Sequence, residues 1–174
     1  NINLAIESGN QFVLDKIINK PVKLHQVPKL SKKIRKLGMD VSVFLVAGNI
    51  SEKYIETLDQ IKDSFKFCRK IRVEPFVSYL TAYPGSAVLD IAKEKEYLIE
   101  GFDWDNLMID HQQIETPEWS TEELKSLVEW EKIKTRLWFL LNSPIMTKFS
   151  ITKRIFVSPR KAFNFVKFVL SSVI

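Results

Sequence analysis

The sequence has one cysteine, two histidines and five glycines among its 174 residues. A lone Cys68 cannot form an internal disulfide, and it excludes an iron–sulfur cluster held by several thiolates of this chain. His25 and His111 have no partner at metal-ligand spacing, so we expect both to be surface or hydrogen-bonded residues. No Ser-His-Asp order, phosphate-binding loop or zinc signature is visible. The sequence therefore predicts no metal site of its own.

Membrane-spanning and targeting segments are also missing. No apolar run approaches the ~20 residues that span a bilayer. No charged leader with an apolar core is present, so secretion is not indicated and the cytoplasm is the expected location. Ten basic and four acidic side chains follow residue 118, so the basic character of the chain belongs to its last third. No groove-reading or base-stacking module accompanies them, and we expect no nucleic-acid partner.

Apolar patterns alternate between strand and helix along the first hundred residues. The periodicity predicts strands at 3–7, 41–47 and 71–77, and helices at 11–18, 29–37, 52–67 and 87–95. Ser51 is the expected N-cap of the third of these helices. Val41–Ala47 is almost continuously apolar, which is typical of a parallel strand covered on both faces. The order predicts an α/β fold built from repeated βα units with right-handed crossovers.

The pattern changes beyond residue 100. An irregular stretch leads to a capping box at Ser120–Glu123, which predicts a long helix to about residue 141. Ser158 and Pro159 predict the start of a last helix with one apolar face. We therefore divide the chain into an α/β part over 1–100 and an irregular linker with a helical extension over 101–174.

Three short motifs follow the predicted strands. They are Ile6-Glu7-Ser8-Gly9-Asn10-Gln11, Gly48-Asn49-Ile50-Ser51-Glu52 and Tyr83-Pro84-Gly85-Ser86. In βα barrels, the loops after the carboxyl ends of the strands converge on one mouth, where the chemistry takes place. The residues alone leave a structural role equally open for Glu7, as a cap of the following helix. Lys20 is also explained by the dipole of that helix.

In this order and spacing, the motifs resemble the second half of the barrel in radical S-adenosylmethionine enzymes, particularly the branch with an N-terminal cobalamin-binding domain. Trp104 resembles a recurring feature of that branch, although a tryptophan is more often a core residue. The resemblance covers residues 4 to about 130 and implies the C-terminal part of a partial (βα) TIM-like barrel followed by a mostly helical extension. Many relatives have Gly-x-Pro-Gly-Glu where this chain keeps only Gly48 and Glu52.

The resemblance implies that this chain forms part of the wall that binds S-adenosylmethionine. The implied cofactor-binding residues are Glu7, Ser8, Lys20, Gly48, Pro84 and Gly85. Glu7 and Ser8 lie where the family holds the ribose and methionine part of the cofactor. Lys20 lies where related enzymes often have a basic residue facing the cofactor carboxylate, and Gly48 lies where the family approaches the adenine. The catalytic residues stay unassigned.

The same family binds its 4Fe-4S cluster through three closely spaced cysteines, which these 174 residues lack. The resemblance therefore implies that the cluster ligands and the cobalamin lobe lie in a missing N-terminal part of the same protein, and that this fragment alone is inactive. The cofactors would carry the difficult chemistry, with cobalamin transferring a methyl group. The substrate, a small molecule or a lipid-like one, cannot be read from the sequence.

A second hypothesis is a non-catalytic α/β module whose basic, helical extension docks on a partner or a membrane surface. Aromatic and basic side chains interleave over residues 136–174, as they do in segments that lie on an anionic bilayer. A helical cap packed on the barrel explains the same pattern, and we favour it. A Cys-x-x-x-Cys-x-x-Cys motif upstream would support the enzyme.

Overall fold

The computed structural model describes residues 1–142. The first of two compact units spans Asn1–Ile133, and the second begins at Lys134. The first unit is a mixed α/β structure around a parallel sheet of three strands, which lie in the order of the sequence. The predicted α/β class is therefore confirmed.

Helices alternate with the strands along the chain. The strands are β1 (Ile2–Glu7), β2 (Val41–Ala47) and β3 (Pro75–Tyr79). The α-helices are α1 (Val27–Lys36), α2 (Leu58–Lys70), α3 (Ala87–Glu94) and α4 (Thr121–Asn142). A π-helical turn spans Val13–Ile18, and 3-10 turns span Leu24–Gln26 and Trp104–Asn106. The predicted helix at 11–18 is thus a π-helical turn.

The two faces of the sheet have different environments. Val43 and Leu45 of β2 are buried in a core that includes Val27 of α1 and Cys68 of α2. Phe44, between them in the sequence, lies on the opposite face beside Phe76 of β3, with ring centroids 5.4 Å apart. The two phenylalanines are 37% and 67% exposed, respectively. The prediction that β2 is covered on both faces is therefore wrong.

A second core joins the carboxyl ends of the strands to the segment that follows α3. Trp119 is 1% exposed and is the largest fully buried side chain described. Its neighbours in this cluster include Ala47 and Tyr79 from the strands and Leu124 from α4. Residues after 100 therefore help to build the core of the first unit.

The start of α2 differs from the prediction. The helix begins at Leu58, where Thr57 accepts a hydrogen bond from the Gln60 N–H at 3.3 Å and the Gln60 side chain accepts one from the Thr57 N–H at 2.9 Å. Ser51 does not cap it, because the Ser51 side chain bonds Tyr54 within a tight turn. Glu52, predicted in the first helical turn, is exposed and lies outside the helix.

The third strand was predicted at 71–77 but spans Pro75–Tyr79. Ile71 and Val73 are buried, but they lie in the turn after α2, where Arg72 has a φ of 57°. The strand itself begins at Pro75. A proline is tolerated at the first residue of a strand because its missing N–H costs no internal ladder bond.

The helix boundaries after β3 agree with the sequence. Ser86 caps α3, which covers most of the predicted 87–95. At the start of α4, the Ser120 N–H donates to Glu123 Oε2 at 2.9 Å and the Glu123 N–H donates to Ser120 Oγ at 3.2 Å, so the predicted capping box is confirmed. In residues 1–142, no helix has both the length and the apolar character needed to cross a membrane. The predicted last helix lies outside the described residues.

Candidate functional site

Glu7 and Lys20 form an ion pair at the carboxyl end of β1. The Lys20 Nζ donates to Glu7 Oε1, and the two side chains are 26% and 30% exposed, respectively. Glu7 has a φ of 66°, in the left-handed region that residues with a Cβ rarely adopt. The structure therefore brings together two of the residues that the sequence assigned to one site.

The chain between the two charges is held by specific contacts. Asn19 adopts the left-handed conformation after the π-helical turn, and the Lys20 N–H then bonds the Leu14 carbonyl at 2.8 Å. The Gln11 side chain donates to the Val22 carbonyl at 3.0 Å and accepts from the Leu24 N–H at 2.9 Å. These bonds fix the backbone on both sides of Lys20 and direct it back toward β1.

Ser8 and Gly9 contact α2 directly. Ser8 is fully buried, and its hydroxyl lies 3.1 Å from the Ser64 hydroxyl, which also accepts the Gly9 N–H at 2.8 Å. A Cβ on Gly9 would come within 2.6 Å of the Ser64 Cα. The glycine of the Glu-Ser-Gly motif is therefore needed for the close approach of the segment after β1 to α2. The predicted contact of Ser8 with a cofactor stays a prediction.

Gly9→Ala is expected to lower the free energy of unfolding by about 2 kcal/mol, because the new methyl group collides with the helix backbone. Urea denaturation measures the change. Gly85→Ala is the control, since Gly85 has a φ of 77° but open space around its Cα, so that only backbone strain of about 1 kcal/mol arises there. A smaller loss for Gly9→Ala than for Gly85→Ala would contradict the close approach.

The end of β2 is organised around the carboxyl group of Glu56. Glu56 Oε2 accepts the N–H groups of Gly48 at 3.1 Å and of Asn49 at 3.0 Å, and the Asn49 side-chain amide at 2.8 Å. The Glu56 carbonyl accepts the Trp119 indole N–H at 2.7 Å. The Ser8 hydroxyl lies close enough to the Glu56 carboxyl to lower its pKa, so the carboxyl group borders the ends of both β1 and β2.

Burial raises the pKa of the Glu56 carboxyl from 4.5 to about 7, although its hydrogen bonds to Asn49, Gly48 and Ser8 favour the ionised form. Glu56 was not among the residues predicted from the sequence, since it was placed inside the predicted helix 52–67. The signal that locates it is Thr57-x-x-Gln60, a capping-box pattern that puts Glu56 just before the helix.

The remaining predicted site residues are Gly48, Pro84 and Gly85, and each has its own surroundings. Gly48 is buried, with a φ of 84°, and a Cβ there would meet the Leu124 side chain at 2.9 Å and the Trp119 ring at 3.2 Å. Pro84 and Gly85 lie in an exposed turn before α3. Their predicted contacts with a cofactor stay predictions.

Residues with metal-binding or aromatic chemistry were also located. Trp104 is 49% exposed and lies with Lys93 Nζ 5.3 Å from its ring centroid, so the expectation of a core tryptophan is wrong.

His25 is exposed and His111 bonds Asn106 at 3.3 Å, as expected. Burial in α2 raises the pKa of the Cys68 thiol to about 12. No cluster of three His, Cys, Asp or Glu side chains suits a metal ion within residues 1–142.

Comparisons with protein-family models and with curated proteins gave no match, so an assignment of function rests on the geometry of the residues described above.

Proposed function

We propose that this chain forms part of the wall that binds S-adenosylmethionine in a radical S-adenosylmethionine enzyme. The observation that carries the proposal is the Glu7–Lys20 pair at the end of β1. The methionine part of the cofactor has one ammonium and one carboxylate, and a glutamate beside a lysine offers the two complementary charges. Charge-assisted hydrogen bonds of this kind are about twice as strong as neutral ones.

The backbone at Glu7 supports a functional role for this pair. Left-handed conformations of residues with a Cβ cost about 1–3 kcal/mol, and they concentrate at ligand-binding and catalytic sites. Glu7 is the last residue of its strand, and the register between β1 and β2 shifts between Ala5 and Glu7. The irregularity therefore coincides with the residue that we assign to the cofactor.

We propose further that the sheet belongs to a partial βα barrel. The three parallel strands lie in sequential order. Crossovers between parallel strands are almost always right-handed, so crossovers that all run in one direction place the connecting helices on one face. A doubly wound sheet covers its other face by reversing the strand order, whereas a barrel encloses that face. The exposed Phe44 and Phe76 lie on the face that a barrel would enclose.

The cofactors fit the described residues to different degrees. The Glu7–Lys20 pair suits the amino-acid part of S-adenosylmethionine. The chain does not suit a 4Fe-4S cluster, because its only cysteine is enclosed in α2. In the proposed enzyme, the cluster and any cobalamin are therefore held by sequence other than these 174 residues.

In the complete enzyme, Glu7→Ala is expected to weaken S-adenosylmethionine binding by about 1–3 kcal/mol, because the cofactor ammonium loses its charged partner. Lys20→Met should have a similar effect through the cofactor carboxylate. Isothermal titration calorimetry measures both. Lys23→Met is the matched control, since Lys23 pairs with Asp15 at 3.1 Å on a more exposed surface, and its loss should leave binding unchanged.

Unchanged binding in Glu7→Ala would remove Glu7 from the site. A gene in which no Cys-x-x-x-Cys-x-x-Cys motif lies immediately upstream would favour the alternative, a non-catalytic α/β module. The observation that favours this alternative is that Ser8, Gly9 and Gly48 all have close contacts within the protein itself.

Anaerobic reconstitution of this chain with iron and sulfide is expected to give no 4Fe-4S cluster, because a cluster needs several thiolates and burial raises the pKa of Cys68 to about 12. Iron and sulfide analysis with absorption spectroscopy checks this. About four irons per chain with cluster absorption would contradict the proposal that the cluster ligands lie in other sequence.

A further inference from the structure

The turn between β2 and α2, residues 48–56, is closed by a buried carboxyl group. Glu56 is 1% exposed. Its N–H donates to the Asn49 carbonyl at 2.8 Å, and Ile50 pairs with Ile55 across the turn. The 48–56 turn is therefore a small closed unit whose first and last residues are bonded to each other.

The donors are unequally divided between the two carboxyl oxygens. Oε2 accepts three N–H groups, two from backbone and one from the Asn49 amide. These groups can only donate, so a proton on Glu56 belongs on Oε1. The Ser8 hydroxyl lies near the Glu56 side chain, and a hydroxyl can accept a hydrogen bond from such a proton. The three donors on Oε2 therefore leave Oε1 as the position of the proton in a neutral carboxylic acid.

Among residues 1–142, no charged partner compensates an ionised Glu56. Its hydrogen-bonding neighbours Gly48, Asn49 and Trp119, and the nearby Ser8, are all uncharged. The charged groups on the adjoining segments have other environments. They are Glu7 paired with Lys20, Asp59 paired with Lys62, Asp63 paired with Lys66, Glu115 bonded to Thr121, Glu123 bonded to Ser120, and the exposed Glu52, Lys53 and Glu118. A buried charge without a counter-ion is costly, so ionisation opposes the closed turn.

We propose that Glu56 is a proton-operated latch, which holds the 48–56 turn closed when it is protonated and favours an open turn when it is ionised. Opening would expose Glu56 and break the Trp119 bond that joins the turn to the segment before α4. The latch acts on the end of β2 beside Gly48, and it does not depend on cofactor binding. The raised pKa of Glu56, about 7, places the change near neutral pH.

Nuclear magnetic resonance of the chain between pH 5 and pH 8.5 tests the latch. The signals of the Gly48 and Asn49 amides and of the Trp119 indole N–H should shift together, with a midpoint of about 7. Protection of the two amides against hydrogen exchange, corrected for intrinsic rates, should fall roughly 100-fold over this range, since the pKa of Glu56 differs between closed and open turns.

Glu56→Gln is permanently neutral and should abolish both the common shift and the loss of protection. Glu52→Gln is the matched control, because Glu52 is exposed in the same turn and its change should alter neither. Direct titration of the Glu56 side-chain carbonyl carbon gives the same test in the unaltered chain, should the Gln variant not fold. A Glu56 midpoint near the ordinary value of 4.5, or unchanged titration of Gly48 and Asn49 in Glu56→Gln, would overturn the latch.

Discussion

Trp119→Ala is expected to lower the free energy of unfolding by about 3–5 kcal/mol, the usual cost of removing a buried aromatic side chain. Trp119 is 1% exposed and packs against Gly48 at the end of β2. The same change removes the indole donor from the Glu56 carbonyl. An unsatisfied buried carbonyl adds to the loss from the cavity. Urea denaturation followed by circular dichroism measures the effect.

Two further variants identify the cause of that loss. Trp119→Phe keeps one aromatic ring but removes the N–H donor and the volume of the second ring, so it should cost about 1–3 kcal/mol, less than the alanine variant. Trp104→Ala deletes a tryptophan that is 49% exposed, and it should cost no more than about 1 kcal/mol. Equal losses in Trp119→Ala and Trp104→Ala would contradict the placement of Trp119 in the core.

Local patterns in the sequence were sufficient to predict the class of the fold and most of its elements. The apolar run at 41–47 and the capping box at Ser120–Glu123 each specify their element within a few neighbouring residues. The start of α2 required a choice between Ser51 and Thr57, and both residue types make good N-caps. The bond between Trp119 and Glu56, 63 residues apart, lies outside any local window.

The burial of β2 shows a second limit of sequence patterns. An apolar run reports which residues avoid water, but it does not report how many faces of the strand other elements cover. Phe44 has a hydrophobic side chain like its neighbours, yet it is exposed because α1 and α2 pack on the other face. The number of covered faces depends on strand order, which is a property of the whole sheet.

The candidate site was predicted in part. Glu7 and Lys20 were assigned to one site by the resemblance, because their positions after a strand and a helical turn leave a structural role open for each, and the structure pairs them. The contact of Ser8 with Ser64 depends on the packing of β1 on α2, which spacing along the chain does not reveal. Glu56 was missed because a glutamate in a polar sequence gives no sign of burial. Its environment arises only when the segment around Trp119 folds over the strand ends.

The buried carboxyl also predicts how stability depends on pH. The pKa of Glu56 is about 7 in the folded chain and returns to the ordinary 4.5 on unfolding. The folded state therefore binds the proton more tightly, and the stabilisation is complete below pH 4.5 and lost as the pH rises through 7. Between pH 5 and pH 8, the free energy of unfolding should fall by about 2–3 kcal/mol from this group alone.

Urea denaturation at several pH values measures this dependence, and the unaltered chain is compared with Glu56→Gln. Subtraction isolates Glu56, because every other ionisable group is common to the two proteins. The lowered pKa values of Asp15, Asp59 and Glu123 affect stability mainly in more acidic solution, so the window from pH 5 to pH 8 separates them. Glu52→Gln should follow the unaltered chain at every pH, since Glu52 is exposed. The same pH dependence in Glu56→Gln as in the unaltered chain would show that Glu56 does not hold the proton.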